Sequence, residues 1–159
     1  MGKLIIVVND IVKGVDKHNI SGSQKVGSPP LVYTGTGEYD YIGKIVDQLS
    51  NFVQINSKPV AITSSKSSLD PGEASTRGHF GPNGKNFNPP TPAPEPGTLQ
   101  LTDDVGTGFP SATSGSAFAR INGIAILLDG DKIDTCDGSG ATMNSAVTAE
   151  NQDFVSCSE

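Results

Sequence analysis

The feature that most constrains this chain is an apolar, β-branched run that is interrupted by an Asn-Gly pair. The run covers residues 116–136 and reads SAFARINGIAILLDGDKIDTC. Asn122-Gly123 separates Ile121 from Ile124, and Asn-Gly between apolar residues is the strongest short-range signal for a two-residue hairpin turn. Gly130-Asp131 then marks a second turn. The run therefore predicts a strand, a tight turn, a second strand and a further turn, with a cysteine just beyond it.

The same pattern occurs earlier in the chain at a fixed offset. Matched positions lie 66 residues apart, so that Phe52, Ile55, Asn56, Val60, Ile62 and Lys66 correspond to Phe118, Ile121, Asn122, Ile126, Leu128 and Lys132. The segment Val7-Val8-Asn9-Asp10 is a looser copy near the start. Because self-similarity at a fixed offset is typical of repeat architectures, we expect repeat-like hairpins near residues 4–12, 52–62 and 118–128.

The composition favours short strands and turns over helices. The chain has 159 residues, 35% of them hydrophobic, with 19 glycines and 11 prolines. This length suits one domain with its own core, so we predict a single all-β domain over residues 1–159. Five prolines within residues 88–97 predict an extended connection across the surface of that domain. The spacing of Ile42, Ile45, Val46 and Leu49 predicts one short helix.

Charge and missing motifs exclude several classes of function. The chain carries 11 basic and 17 acidic residues, a net charge of −6, and no basic cluster, which argues against nucleic-acid binding. No apolar run approaches the ~20 residues of a membrane span, and the N-terminal apolar run is too short for a signal peptide. We find neither a nucleophile elbow nor a phosphate-binding loop, so we expect no enzymatic activity.

The two hairpin segments resemble PAAR-repeat proteins. That family is named for a Pro-Ala-Ala-Arg turn after an Asn-Gly, followed by Gly-Asp and then a metal-ligating His or Cys. Here Asn122-Gly123 is followed by Ile124-Ala125-Ile126-Leu127 in place of the tetrapeptide, then by Gly130-Asp131 and Cys136. The earlier copy has Lys58-Pro59-Val60-Ala61 and then Ser64-Ser65. No copy carries the full tetrapeptide, so the chain is PAAR-like.

The resemblance implies a fold, a function and a partner. The expected fold is a small cone-shaped domain of β-hairpin repeats with pseudo-threefold symmetry. The expected function is that of a non-catalytic tip on the central spike of a contractile injection machine, such as a type VI secretion system, a phage-tail-like particle or a contractile phage tail. The blunt base would sit on a trimeric β-helical spike protein, one copy per trimer, and the point would pierce the target membrane mechanically.

The resemblance also implies where the protein works. We expect synthesis in the cytoplasm without a signal peptide, followed by assembly into an injection particle. Because the sequence ends at Glu159, just after a candidate metal ligand, we expect no fused toxin domain.

The histidines and cysteines predict a metal site. His18, His79, Cys136 and Cys157 are the only residues of these types, and their number and chemistry fit a closed structural zinc site. Their spacing is unlike that of a zinc finger. In PAAR proteins a zinc near the sharp end is commonly held by three histidines and one cysteine. Since this chain has two histidines, the second cysteine is expected to complete the set.

Other interpretations compete with this one. The two cysteines could form a disulfide, although the lack of a signal peptide disfavours it. Four aspartates lie close together in one loop and suggest a calcium site: Asp129, Asp131, Asp134 and Asp137. Their spacing does not fit an EF-hand, so turn formation by Asp129 and Asp131 is the preferred interpretation. The rival function is a small ligand- or carbohydrate-binding β-domain with three tyrosines as a stacking surface, Tyr33, Tyr39 and Tyr41.

Overall fold

The described residues, 2–73 and 78–158 of a computed structural model, form an all-β protein. The strands are β1 (Lys3–Leu4), β2 (Ile11–Ser23), β3 (Val32–Asp47), β4 (Gln54–Ile55), β5 (Lys58–Pro59), β6 (Lys66–Leu69), β7 (Lys85–Asn88), β8 (Gln100–Leu101), β9 (Thr107–Pro110), β10 (Arg120–Ile121), β11 (Ile124–Ala125), β12 (Lys132–Asp134), β13 (Ser145–Thr148) and β14 (Ser156–Cys157). Short 3₁₀ turns lie at Gly81–Asn83 and Pro96–Thr98. No helix among the described residues is long and apolar enough to cross a membrane.

Six strands close into a barrel. The main sheet is antiparallel with the order β7-β3-β6-β9-β12-β13-β2-β8, and β2 also pairs with β3. That extra pairing joins the two sides of the sheet, so β3, β6, β9, β12, β13 and β2 form a ring without free edges. The β2–β3 hairpin is the longest element and pairs from Ile11↔Lys44 to Ser23↔Val32. The helix predicted from residues 42–49 is wrong, because β3 continues to Asp47.

Three chain segments meet in a closed ring of backbone hydrogen bonds. Ile6 N donates to Leu127 O, Leu127 N to Ala61 O, and Ala61 N to Ile6 O, at 3.0, 3.0 and 2.9 Å. All three residues are fully buried. Isolated bridges flank them on both sides, Ile5↔Leu128, Val7↔Val60 and Ile62↔Ile126. The three segments are therefore tied to one another rather than stacked in a row.

Each of these segments ends in a turn held by a side-chain oxygen three residues further on. The bonds are Val7 N to Asp10 Oδ2 at 2.8 Å, Ile62 N to Ser65 Oγ at 3.0 Å, and Leu128 N to Asp131 Oδ2 at 2.8 Å. A short polar side chain that accepts from a nearby backbone N–H is a standard way to fix a turn. The chain then enters β2, β6 and β12 respectively.

Two of the three expected hairpins are present. β4 pairs with β5 and β10 with β11, around Asn56-Ser57 and Asn122-Gly123. Both turns have positive φ at their two central residues, as a type I′ turn requires. Residues 4–12 do not form a hairpin of their own. Instead β1 pairs with β14, with Lys3 opposite Cys157, so this strand pair is formed by the two ends of the chain.

The apolar residues form three clusters. The proximal cluster contains Val7, Ile55, Val60, Ile62, Ile126 and Leu128. The central cluster contains Ile6, Val12, Tyr41, Ile45, Ala61, Leu69, Leu127, Ile133 and Val147. The distal cluster contains Ile20, Tyr33, Tyr39 and Leu99. On β2, Val12 and Ile20 belong to the central and distal clusters, and at ~3.3 Å per residue they lie about 26 Å apart.

The proline-rich segment runs along the far end of the long hairpin. Lys25 N donates to Ala93 O and Glu95 N to Ser23 O, both close to 2.9 Å. β8 then pairs with β2 at Ile20↔Leu101. The segment is therefore held against β2 by backbone hydrogen bonds, as expected for an extended connection over the surface.

Candidate metal centre

A polar layer lies between the central and distal clusters inside the barrel. Alternate residues of β2 face the interior, which places Asp16 and His18 there between Val12 and Ile20, all of them buried. His79 arrives from the loop before the first 3₁₀ turn, and Cys136 follows β12. The potential ligand atoms of Asp16, His18, His79 and Cys136 all lie within 4.8 Å of one another.

The distances within this group suit one shared ion. Cys136 Sγ lies 3.9 Å from His18 Nε2 and 3.8 Å from His79 Nε2. Asp16 Oδ2 lies 3.0 Å from Cys136 Sγ, 2.9 Å from His79 Nε2 and 3.9 Å from His18 Nε2. Two ligands of a zinc ion, each about 2.0–2.3 Å from the metal, can be at most about 4.6 Å apart. All five separations fall within that limit.

The electrostatics of the layer centre on the Asp16 carboxylate. Burial by itself would raise the pKa of Asp16, but hydrogen bonds from His18, His79, Cys136 and Thr135 outweigh burial and lower the pKa well below its usual range. Burial and the adjacent Asp16 carboxylate raise the pKa of the Cys136 thiol to about 12. The layer thus holds a buried anion beside a thiol that becomes a thiolate when a metal replaces its proton.

Outer contacts orient two of the four side chains. The second carboxylate oxygen of Asp16 accepts hydrogen bonds from Asn144 Nδ2 at 2.7 Å and from Thr135 Oγ1. His18 Nδ1 lies 3.6 Å from Asp103 Oδ2, just beyond hydrogen-bond distance, and that carboxylate oxygen accepts a hydrogen bond from Asn19 N. A carboxylate on the far nitrogen of a ligating histidine is the usual support at a metal site. Asp16 and His18 are therefore held with one face toward the shared centre.

Close backbone approaches make this arrangement possible. A Cβ at Gly14 would lie 2.0 Å from Ser145 Oγ, so glycine lets β13 approach β2 and brings Asn144 to Asp16. A Cβ at Gly78 would lie 2.7 Å from Asp40 O, which explains how the loop can press His79 into the barrel. At both positions glycine is required because a side chain would clash with a neighbouring atom, not because the backbone adopts a positive φ.

Aromatic rings form the wall around the histidines. The His18 and His79 ring centroids are 5.0 Å apart, and Tyr39 and Tyr41 lie 5.8 and 6.0 Å from His79. Burial raises the pKa of Tyr39 to about 12. Tyr33, Tyr39 and Tyr41 are at most 2% exposed, so they cannot provide the stacking surface that a carbohydrate-binding domain needs.

The structure brings together three of the four predicted ligands. Cys157 lies instead in β14, where its Sγ is 3.6 Å from Ser116 Oγ and the residue packs against the proximal cluster. Both cysteines are free thiols, so the disulfide alternative is wrong. Asp16 takes the fourth position. It could have been found from its position two residues before His18 on one strand face, since carboxylates also ligate zinc.

The aspartates near Cys136 shape turns. Asp129 accepts from Ala149 N, and Asp131 accepts from both Leu128 N and Gly115 N. Asp137 Oδ2 accepts from Lys17 N at 2.8 Å. Turn formation by Asp131 is therefore confirmed, whereas the Asp129 side chain ties its loop to Ala149, just after β13, instead of bonding its own nearby backbone.

The four residues fit a metal ion by their chemistry. Two imidazoles, one thiol and one carboxylate are all established ligands of zinc. The Asp16 carboxylate is fully buried and accepts hydrogen bonds from side chains of the layer, and a bound cation would add compensation for its buried charge. Among the described residues, the buried Nδ1 atoms of His18 and His79 have no hydrogen-bond partner, and both rings face the other side chains of the layer through Nε2.

No protein-family model matches this chain, and neither a curated protein nor a solved structure matches it.

Proposed function

We propose that this protein is a metal-bearing tip on the central spike of a contractile injection machine. In this role it caps a trimeric β-helical spike protein, with one copy per trimer, and sharpens the spike for envelope piercing. The observation that carries the proposal is the closed ring formed by Ile6, Ala61 and Leu127. A ring of three similar segments supports the approximate threefold character that a single chain would need to match a threefold platform.

Support for three copies comes from hydrogen bonds that repeat around the ring. Val60 N donates to Val53 O, Ile126 N to Ala119 O, and Ile5 N to Val155 O, at 3.1, 3.2 and 3.1 Å. Buried polar side chains three residues earlier accept from the same positions: Ser50 Oγ from Val53 N, Ser116 Oγ from Ala119 N, and Gln152 Oε1 from Val155 N. The segments 50–53, 116–119 and 152–155 are thus three versions of one turn, named here the base turns.

The proposed role of the metal is mechanical. The barrel is narrow, and its polar layer separates two apolar clusters, so hydrophobic burial alone cannot stabilise this level. A structural zinc contributes roughly 10–16 kcal/mol of apparent binding free energy where binding is coupled to folding. Asp16, His18, His79 and Cys136 would hold it with four protein ligands. The proposal assigns no catalytic residue, because a closed site leaves no position for substrate.

The experiment is a mass measurement of the intact assembly. The full chain is purified together with a trimeric β-helical spike protein of a contractile injection machine, and native mass spectrometry gives the stoichiometry. We expect one copy of this chain and one zinc per three spike chains. A three-to-three complex, a stable homotrimer of this chain alone, or no association would each contradict the proposal.

A further inference from the structure

Three exposed phenylalanines occupy the same place in the three base turns. Phe52, Phe118 and Phe154 are 59%, 76% and 58% exposed, and each stands directly before the residue whose carbonyl closes its turn. We propose that these three side chains are the anchors by which the protein docks, each entering one of three equivalent apolar pockets at the end of the trimeric spike. This inference rests on the proposed function and names the contact surface within it.

The equivalence of the three positions follows from hydrogen bonding, not from sequence alone. Phe52 and Phe118 are 66 residues apart and belong to the visible repeat. Phe154 does not lie at that offset, and its turn is completed by Ile5, from the other end of the chain, whose N–H donates to Val155 O. In each turn the residue after the phenylalanine donates to a side-chain oxygen and its carbonyl accepts from the ring segment. The same backbone frame therefore presents the same side chain three times.

The surface beside these turns is apolar. A shallow cavity of about 320 Å³ is lined almost entirely by apolar side chains, Ile5, Val53, Ile55, Val60, Ala119, Ile121, Ile126 and Val155, together with Arg120. Val53, Ala119 and Val155 are the base-turn residues that follow the three phenylalanines. The exposed rings and the cavity thus belong to one apolar region at the proximal cluster.

The size of this region matches the centre of a protein interface. A phenylalanine buries ~150–250 Å² when fully covered, so three rings that are more than half exposed offer roughly 400 Å² of apolar surface. One partner in a standard interface contributes about 800 Å², and its energetic centre is formed by a few aromatic anchors. The region is therefore the right size for an anchor cluster with a surrounding polar rim.

The number of anchors selects the partner. A threefold-symmetric trimer end offers three identical pockets, and a single chain can fill all of them only if it carries three equivalent side chains. A second copy of this chain would meet the surface through a twofold axis, which cannot treat three anchors alike. A single-site partner would use one phenylalanine and leave two in water. The arrangement fits a trimer best.

Single substitutions measure the contribution of each anchor. Phe52→Ser, Phe118→Ser and Phe154→Ser are compared with Phe80→Ser and Phe109→Ser, which alter phenylalanines of similar exposure outside the base turns. Against a trimeric β-helical spike protein of a contractile injection machine, we expect each anchor variant to weaken binding at least tenfold and the two controls to weaken it less than twofold. Zinc content should stay unchanged in the three anchor variants, whose residues lie outside the candidate metal centre, and the melting temperature of every variant distinguishes a loss of binding from a loss of folding.

Photo-crosslinking tests the equivalence itself. A photoreactive phenylalanine analogue placed at 52, 118 or 154 should crosslink to the same residue of the spike protein in comparable yield, whereas placement at 80 or 109 should not.

The outcomes separate this inference from the proposed function. If the spike trimer binds one chain but the anchor variants bind as well as the controls, the anchors are wrong and the capping function stands. If the wild-type chain does not bind the trimer at all, both are wrong. Concentration-dependent dimerisation that the anchor substitutions abolish would assign the surface to a second copy, and vesicle binding that they abolish would assign it to a membrane. Either result overturns the inference.

Discussion

Replacing the two cysteines one at a time gives the sharpest test of the metal centre. Cys136 lies within 3.9 Å of both histidine Nε2 atoms, whereas Cys157 contacts Ser116 in the proximal region. We expect Cys136→Ser to lose tight zinc binding and Cys157→Ser to retain one zinc per chain. The substitution is the same in both variants, so a general effect of losing a thiol cannot explain a difference between them.

The expected magnitude follows from linkage between binding and folding. Removing a supporting residue outside the ligand set typically weakens metal affinity ~10–100-fold, so we expect the loss of a ligand to weaken it at least ~1,000-fold, which corresponds to about 4 kcal/mol. With free zinc in excess, that difference appears directly in the free energy of unfolding. Cys157→Ser should cost about 1 kcal/mol or less, as for most substitutions at partly exposed positions.

The assay combines metal analysis, cobalt spectroscopy and thermal unfolding. Wild type and Cys157→Ser loaded with Co²⁺ should show a thiolate-to-metal charge-transfer band that Cys136→Ser lacks. In the presence of a chelator, wild type and Cys136→Ser should converge toward the same melting temperature. Equal zinc content in both variants, or loss of zinc from Cys157→Ser alone, would refute the assignment of the ligands.

Three further predictions concern the polar layer and the ring. Asp16→Asn keeps the side-chain shape and should lower zinc affinity at least tenfold in a competition titration with a chelator; unchanged affinity would show that Asp16 is not a ligand. Gly14→Ala places a Cβ against the β13 backbone and should lower the free energy of unfolding by ~2–4 kcal/mol, measured by denaturant unfolding. The control Gly97→Ala places its Cβ in open space and should leave that free energy nearly unchanged. Equal losses of stability would contradict the close approach of β13 to β2. Asp10→Ala removes the acceptor for four N–H groups, including Val7 N, and should lower the free energy of unfolding by ~3–5 kcal/mol. A melting temperature close to that of the wild type would contradict this expectation.

Local sequence determined the hairpins. Asn122 and Gly123 accept positive φ at low cost, and Asn56 does so at the matching position of the first copy. The offset of 66 residues made both turns visible. Turn formation by Asp131 was predictable for the same reason, since a carboxylate three residues along reaches the backbone N–H without help from the rest of the fold.

The residues of the candidate metal centre could be predicted only in part. His18, His79 and Cys136 were candidates because histidine and cysteine are rare in this chain, although His18 lies within β2 and not in the turn-rich segment that the sequence indicated. Aspartate is common in this chain, so the composition did not distinguish Asp16 from the other aspartates. The structure does so, because Asp16 lies in the barrel interior on the same face of β2 as His18. Cys157, by contrast, lies in β14 opposite Lys3.

The arrangement of the third base turn was decided by tertiary structure alone. Phe154 and Val155 have no sequence match to the other copies at the 66-residue offset, and Ile5, whose N–H donates to Val155 O, lies at the opposite end of the chain. Pairing across such a separation leaves no local periodicity to detect. The spacing of Ile42 and Ile45 was misleading for a related reason: it fits a helix in isolation, but pairing of β3 with β2 and β6 satisfies the same backbone groups and places Ile45 in the central cluster. Local propensity is a weak preference, and long-range strand pairing overrides it.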